Sequence, residues 1–367
     1  MHWVLRDMPL RLRRIRAALG AAVVGVLLLV SIGCGRAAAH LPGLVVVFGT
    51  NSSIVGVDPS AGRHVLDEGH FDWTRAGFIV GSPRRIVAYT GSKLVMISRT
   101  TGSTRTVEQD DAVPGPEGDV YWLSGDKVSE LAADQSPDEA RQVFDLRLPA
   151  PIPDRNKAAA AHPRTRLVAA TRSGFLVSRT DYRGGLTPFG NPDILYYVSP
   201  TGAASRIGPN AGNTFVEQFL AIGDTVLYAT SDRNNSSPCG QVTIGAVSMT
   251  DRTTRVVAMP DAPPCYAINN MWTDNGSAFA LRTGWNMKST TYQRLGNALV
   301  EYIENGTGAL RVLDNIDPVP LRTANHGQMT ATIVGDGKDA YRCGRLRLTN
   351  SSVLAYESDG VCLAAAV

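Results

Sequence analysis

Along most of this chain, short apolar runs alternate with turns built from Gly, Asn, Asp, Ser and Pro. The clearest instance is 269–281, NNMWTDNGSAFAL. Met271 and Trp272 lead into the polar turn Thr273, Asp274, Asn275 and Gly276, and Ala278, Phe279, Ala280 and Leu281 lead out. Asn and Gly tolerate the positive φ that a two-residue hairpin turn demands, so the stretch reads as strand, turn, strand. Runs rich in Val, Ile, Tyr and Phe, bounded by such turn residues, are strand signatures.

The same grammar returns. It is found at 44–66, 82–107, 116–144, 163–207, 222–257 and 274–313, and again from 335. Marks at Pro42, Ser82, Pro116, Pro163, Gly223, Asp274 and Gly335 are separated by 34 to 61 residues. Self-similarity at about 40–50 residues with about four strands per unit is the mark of a β-propeller. The expectation is an all-β propeller of seven blades, within a range of six to eight, each of about four antiparallel strands. A pair of β-sandwiches would not explain seven returns of one unit. The first strand, near Leu44 to Phe48, should pair with the last blade, because closing a ring removes exposed edges. The stretch SPDEARQV at 136–143 reads either as one helical turn capped by Ser136 or as a hairpin loop.

The N-terminus points to export. RLRRIR at 11–16 is a basic stretch followed by an unbroken apolar run from Ala17 to Val30. That run is short of the ~20 residues a membrane helix needs, so a signal peptide is favoured. Ser31, Ile32, Gly33 and Cys34 resemble a bacterial lipobox, in which a small residue precedes a cysteine that is acylated and becomes the mature N-terminus. Ser31 departs from the family's preferred Leu. The resemblance implies a lipid anchor on Cys34 and a body on the outer face of a bacterial cell membrane. Cleavage after Ala37, Ala38 and Ala39 would instead release a secreted protein beginning at His40, and an uncleaved anchor is a third course. The expected domains are a signal peptide over 1–33, a tether over 34–42 and one propeller over 43–367.

Charge narrows the partners. Arg6, Arg11, Arg13, Arg14 and Arg16 against Asp7 give the first 33 residues +4 of the formal +3, leaving the body near −1. Without clustered Lys and Arg to neutralise phosphates, nucleic acid is not an expected partner. At 44% hydrophobic residues the chain has ample material for a core. Of its five cysteines, Cys239, Cys265, Cys343 and Cys362 form an even set once Cys34 is set aside. In an oxidising compartment such a set forms disulfides, and proximity favours Cys239–Cys265 and Cys343–Cys362 among three possible pairings.

Chemistry is sparse. His40, His64, His70, His162 and His326 lack metal-ligand spacing, and there is no G-x-S-x-G, P-loop, H-E-x-x-H or calcium loop. No catalytic residue, metal or cofactor is expected. His64, His70, Asp72 and Trp73 form the densest polar-aromatic cluster, either a groove in the first blade or an exposed hairpin. Two apparent insertions, 178–193 and 284–296, carry Tyr182, Arg183, Phe189, Trp285, Tyr292 and Arg294, which have the composition of interface anchors.

WTDNGSAFAL at 272–281 resembles the W-S-P-D-G repeat of TolB-type and related WD-repeat-like bacterial propellers, with SPRRIVAY and HPRTRLVAA as weaker copies. The resemblance implies a propeller fold with many partners and activities. The expected role is a monomeric, non-catalytic binding module for an envelope protein or polymer. The alternative is a propeller enzyme of the lactonase, quinoprotein or glycan-active type, with its site at the channel mouth.

Overall fold

The computed structural model describes residues 41–367 apart from 42, 60–61, 74–76, 110, 150–164, 181–192, 208–213, 233–241, 260–262, 264, 275, 289–290, 304–308, 315–319 and 336–342. Residues 1–40, including Cys34, lie outside the described residues, and 41–367 form one compact unit.

Strands β1 (Val46–Thr50), β2 (Ser53–Asp58) and β3 (Gly62–Glu68) come first. Five four-stranded antiparallel meanders follow. The first holds β4 (Phe78–Gly81), β5 (Arg85–Tyr89), β6 (Lys93–Ser98) and β7 (Thr104–Glu108). The second holds β8 (Ala112–Pro114), β9 (Val120–Ser124), β10 (Lys127–Leu131) and β11 (Arg141–Asp145). The third is β12 (Thr165–Thr171), β13 (Gly174–Thr180), β14 (Asp193–Val198) and β15 (Ala204–Ile207). The fourth is β16 (Thr214–Ile222), β17 (Thr225–Asp232), β18 (Val242–Ser248) and β19 (Thr253–Val256). The fifth is β20 (Cys265–Asp274), β21 (Ser277–Lys288), β22 (Thr291–Ile303) and β23 (Ala309–Asp314). Last come β24 (Pro320–His326), β25 (Met329–Val334), β26 (Gly344–Asn350) and β27 (Val353–Ala366).

These are the four-stranded antiparallel blades of a β-propeller. Rather than seven separate sheets, the described residues form five four-stranded ones and a seven-stranded sheet in the order β24-β25-β26-β27-β1-β2-β3. β27 makes that join. Its first half pairs with β26, as in Val353↔Asn350 and Glu357↔Arg347. Its second half pairs with β1, as in Leu363↔Gly49 and Ala366↔Val46. The change of partner falls at Val361, opposite both Gly344 and Thr50, just after Gly360 with φ 69°. The expected pairing of the first strand with the end of the ring is therefore present.

The core lies between neighbouring blades, and strand alternation builds it. In β5, Ile86 and Ala88 pack with Ile54, Leu66 and Phe71 of the sheet before, while Val87 and Tyr89 pack with Val120, Trp122 and Leu131 of the sheet after. β14 repeats this: Ile194, Tyr196 and Val198 face one neighbour, Leu195 and Tyr197 the other. A strand buried on both faces reads as a continuous apolar run, which is why RIVAY and KLVMIS stand out in the sequence. Each such aliphatic side chain contributes ~1.5–3 kcal/mol on burial.

The local expectations fare unevenly. β20 and β21 meet at Asp274↔Ser277, with Gly276 at φ 77°, where the sequence predicts a hairpin. The 136–143 stretch contains a single 3-10 turn at Pro137–Glu139, where the Glu139 carboxylate accepts the Ser136 N–H at 2.6 Å. The 284–296 segment is not a loop inserted into a blade. β21 and β22 simply continue their ladder there, pairing Trp285↔Arg294 and Met287↔Tyr292 past a register shift at Gly284. Alternation over a long hairpin resembles a loop when Gly, Asn and Lys interrupt it. Cys343 and Cys362 are joined by a disulfide with Cα atoms 3.9 Å apart. Cys265 is disulfide-bonded too, and Cys239 lies outside the described residues.

Candidate functional site: the central channel

The innermost strand of each blade runs along a shared cavity of about 790 Å³. β4, β8, β12, β16, β20 and β24 line it, together with Ala364, Ala365 and Ala366 of β27. Pro116, Arg172, Gly223, Asp224 and Asp274, at or just past the C-terminal ends of these strands, lie where the strands turn back.

Polar side chains at that mouth are spent on joining one blade to the next. Glu117, held at φ 63° in the Pro116–Gly118 turn, pairs with exposed Arg172 just past β12. The Ser173 N–H donates to Asp224 Oδ1 at 3.1 Å. Asp274, closing β20, accepts from Thr323 Oγ1 at 2.9 Å, from the Asn325 N–H at 3.2 Å and from Asn325 Nδ2 at 2.6 Å. Asn325 Oδ1 in turn accepts from Thr330 Oγ1 at 2.6 Å, and Trp272 Nε1 reaches Thr323 Oγ1 at 3.4 Å. A carboxylate accepting several hydrogen bonds is held in one orientation.

Arg322 differs from these groups. It lines the same cavity from β24, its Nε is sealed from solvent without an acceptor, and burial pushes its pKa down to about 10. At neutral pH it is still a cation.

Of the residues singled out from sequence, Tyr182, Arg183, Phe189, His40, His162 and Cys34 lie outside the described residues. Trp285 is half-buried on β21, and Tyr292 and Arg294 stand opposite that strand on β22. In the His64–Trp73 cluster, Trp73 packs down onto the first sheet. Trp73 Nε1 donates to the Thr50 carbonyl at 2.8 Å and its ring lies 6.1 Å from Phe71, so the indole covers the first sheet. His70 and His326 are exposed. Among the described residues, no three His, Cys, Asp or Glu side chains are placed to hold a metal. Sequence reasoning missed Asp224, Arg172, Glu117 and Arg322. The one available signal was an arginine inside a strand pattern, PLRTANH.

No protein-family model matches this chain and no curated protein matches it. Similar solved structures include the dihydro-heme d1 dehydrogenase NirN, at 11% identity over 88% of this chain and 64% of that one, TM-score 0.45. A post-proline cleaving enzyme from Rickettsia typhi is 9% identical over 85% of this chain and 51% of that one, TM-score 0.45. A protein described as TolB from Agrobacterium tumefaciens is 9% identical over 87% and 91%, TM-score 0.41. The chain thus spans 64% and 51% of the first two of these.

Proposed function

We propose that this chain is an exported, lipid-anchored propeller of seven blades that acts as a non-catalytic binding module at the outer face of a bacterial cell membrane. The count of seven is supported by β27, whose two halves serve two blades: 353–358 as an outer strand, 361–366 as an inner one. The inner strands also neighbour one another in the order β4, β8, β12, β16, β20, β24, β27 and back to β4. Cys239 is assigned as the partner of Cys265, since Cys343 and Cys362 hold each other and Cys34 is assigned to lipid. The anchor assignment rests on the 11–34 sequence pattern.

One observation carries the binding role: Asp224 and Asp274 at the channel mouth already hold neighbouring blades together instead of converging on open space. Binding surfaces of aromatic and Arg character, in the 178–193 segment and on the β21–β22 hairpin, would supply contact with an envelope protein or polymer. The test is a photo-crosslinking residue at Trp285 in the exported protein on intact cells, with Arg294→Ala and Cys34→Ala beside it. The expected result is one discrete adduct, weakened by Arg294→Ala, and release of the Cys34→Ala chain from the membrane fraction. No adduct from position 285, or one indifferent to Arg294, would overturn the partner surface. A Cys34→Ala chain that stays membrane-bound would overturn the anchor.

A further inference from the structure

Several arginines of the propeller are buried and donate hydrogen bonds to carbonyl oxygens. Arg85 donates to the carbonyls of Gly118 at 3.1 Å, Leu131 at 2.6 Å and Ala132 at 3.3 Å. Arg99 donates to Leu41, Ser82 and Leu44 carbonyls between 3.1 and 3.3 Å. Arg179 reaches the Pro149 carbonyl at 2.6 Å and the Tyr196 hydroxyl at 2.7 Å. In each case a guanidinium clamps chain segments that would otherwise leave acceptors unpaired.

Arg322 has no such arrangement. Among the described residues nothing accepts a hydrogen bond from it, and its Nε is shut away from solvent. Among the described residues no carboxylate offsets its charge either, and burial alone shifts its pKa. The residue is partly exposed where it forms the cavity wall. A buried cation without a counter-charge is costly, and the cost is recovered when an anion reaches it. A guanidinium presents a planar fork that fits two oxygens of a carboxylate or phosphate.

The surroundings indicate the rest of the molecule. Val168, Phe219 and Met271 line the same cavity from β12, β16 and β20, and Ala364 lines it from β27. Met271 is buried and Phe219 and Val168 are half-buried, so the wall offers apolar surface beside Arg322, while the other lining arginine, Arg172, is paired with Glu117. A cavity of about 790 Å³ is of the size that encloses a small molecule.

We infer that the channel is a binding site for a small amphiphilic anion, its carboxylate or phosphate group held by Arg322 and its apolar part lying along Val168, Phe219 and Met271. This goes beyond the partner surface and does not depend on it. An oxyanion can occupy the channel whether or not the β21–β22 hairpin meets an envelope component.

The experiment is a thermal-shift titration of the purified full-length chain with octanoate and, separately, inorganic phosphate, each matched in ionic strength with sodium chloride. Wild type should show a saturable rise in Tm with at least one probe, and the responding probe identifies the oxyanion. Arg322→Met, which keeps an apolar stem, should lose the response while folding at least as stably without ligand. Arg322→Lys keeps the charge but not the fork, so binding should weaken by roughly tenfold or more. If Arg322→Met fails to fold, the Lys variant decides the matter. The inference is overturned if neither probe gives a saturable response in wild type, or if Arg322→Met or Arg322→Lys binds as wild type does.

Discussion

A Cβ placed on Gly49 would fall 2.0 Å from Cζ2 of Trp73, so the indole lies directly on the backbone of β1. Its Nε1–H is fixed at the same time by the Thr50 carbonyl. Gly49→Ala should therefore expel the indole and destabilise the protein by ~1–3 kcal/mol. Urea unfolding midpoints would register it. Trp73→Ala in the Gly49→Ala background should cost less than the two changes summed, because the clash is gone.

Asp274 ties β20 to β24 through three accepted hydrogen bonds. Asp274→Ala should leave the Thr323 and Asn325 donors without their acceptor and cost ~2–4 kcal/mol. Asp274→Asn keeps an acceptor oxygen but adds donors facing donors, so it should be intermediate or worse. Denaturant titration of the two variants side by side would check the order.

The Cys343–Cys362 disulfide closes a segment of 19 positions next to the point where β27 changes partner. On the chain-entropy model it is worth ~3 kcal/mol. Cys362→Ser should lower Tm by several degrees under oxidising conditions. With reductant present, wild type should fall to meet it, and calorimetry in both buffers would show whether the two converge.

Burial raises the pKa of Asp119, opposed by the hydrogen bond its carboxylate accepts from the Ala133 N–H, and nearby Glu130 and Glu117 push it further up. A carboxyl raised on folding favours the native state when protonated. Its contribution is complete below the unfolded value near 3.8 and is lost as pH rises through the folded value. Asp119→Asn should remove that share of the pH dependence while keeping an acceptor for Ala133. Chemical denaturation between pH 4 and 7 should show the variant's stability falling less than that of wild type as pH rises.

The strands buried on two faces were the legible part of this fold. β5 and β6 announce themselves as RIVAY and KLVMIS because both neighbours demand apolar side chains. The inner strands were harder to see. β4 and β8 offer only FIVG and AVP, so the repeat marks at Ser82 and Pro116 fall one strand into their blades. Short strands carry little periodicity, and their identity comes from position in a ring, a relation between distant segments. The mouth was illegible for a similar reason. Asp274 reads locally as a hairpin residue, and nothing near it in sequence announces Thr323 and Asn325, 49 and 51 positions on. Arg322 gives no sequence signal because a strand arginine is ordinarily solvated, and only the fold shows that the Nε of this one is sealed.

The shared strand β27 imposes an order in time. Asn51 follows β1 at the start of the body, and Cys362 lies against it 311 positions later. The sheet containing β1 stays incomplete until residues 361–366 have been synthesised, because they bond to 46–50. Until then Val47 and Ile54 lack Leu363, with which they share a cluster, and one flank of β1 has open hydrogen-bonding groups. A nascent chain of this design cannot lock its ring early. It seals only when the last residues to be made reach the first strand.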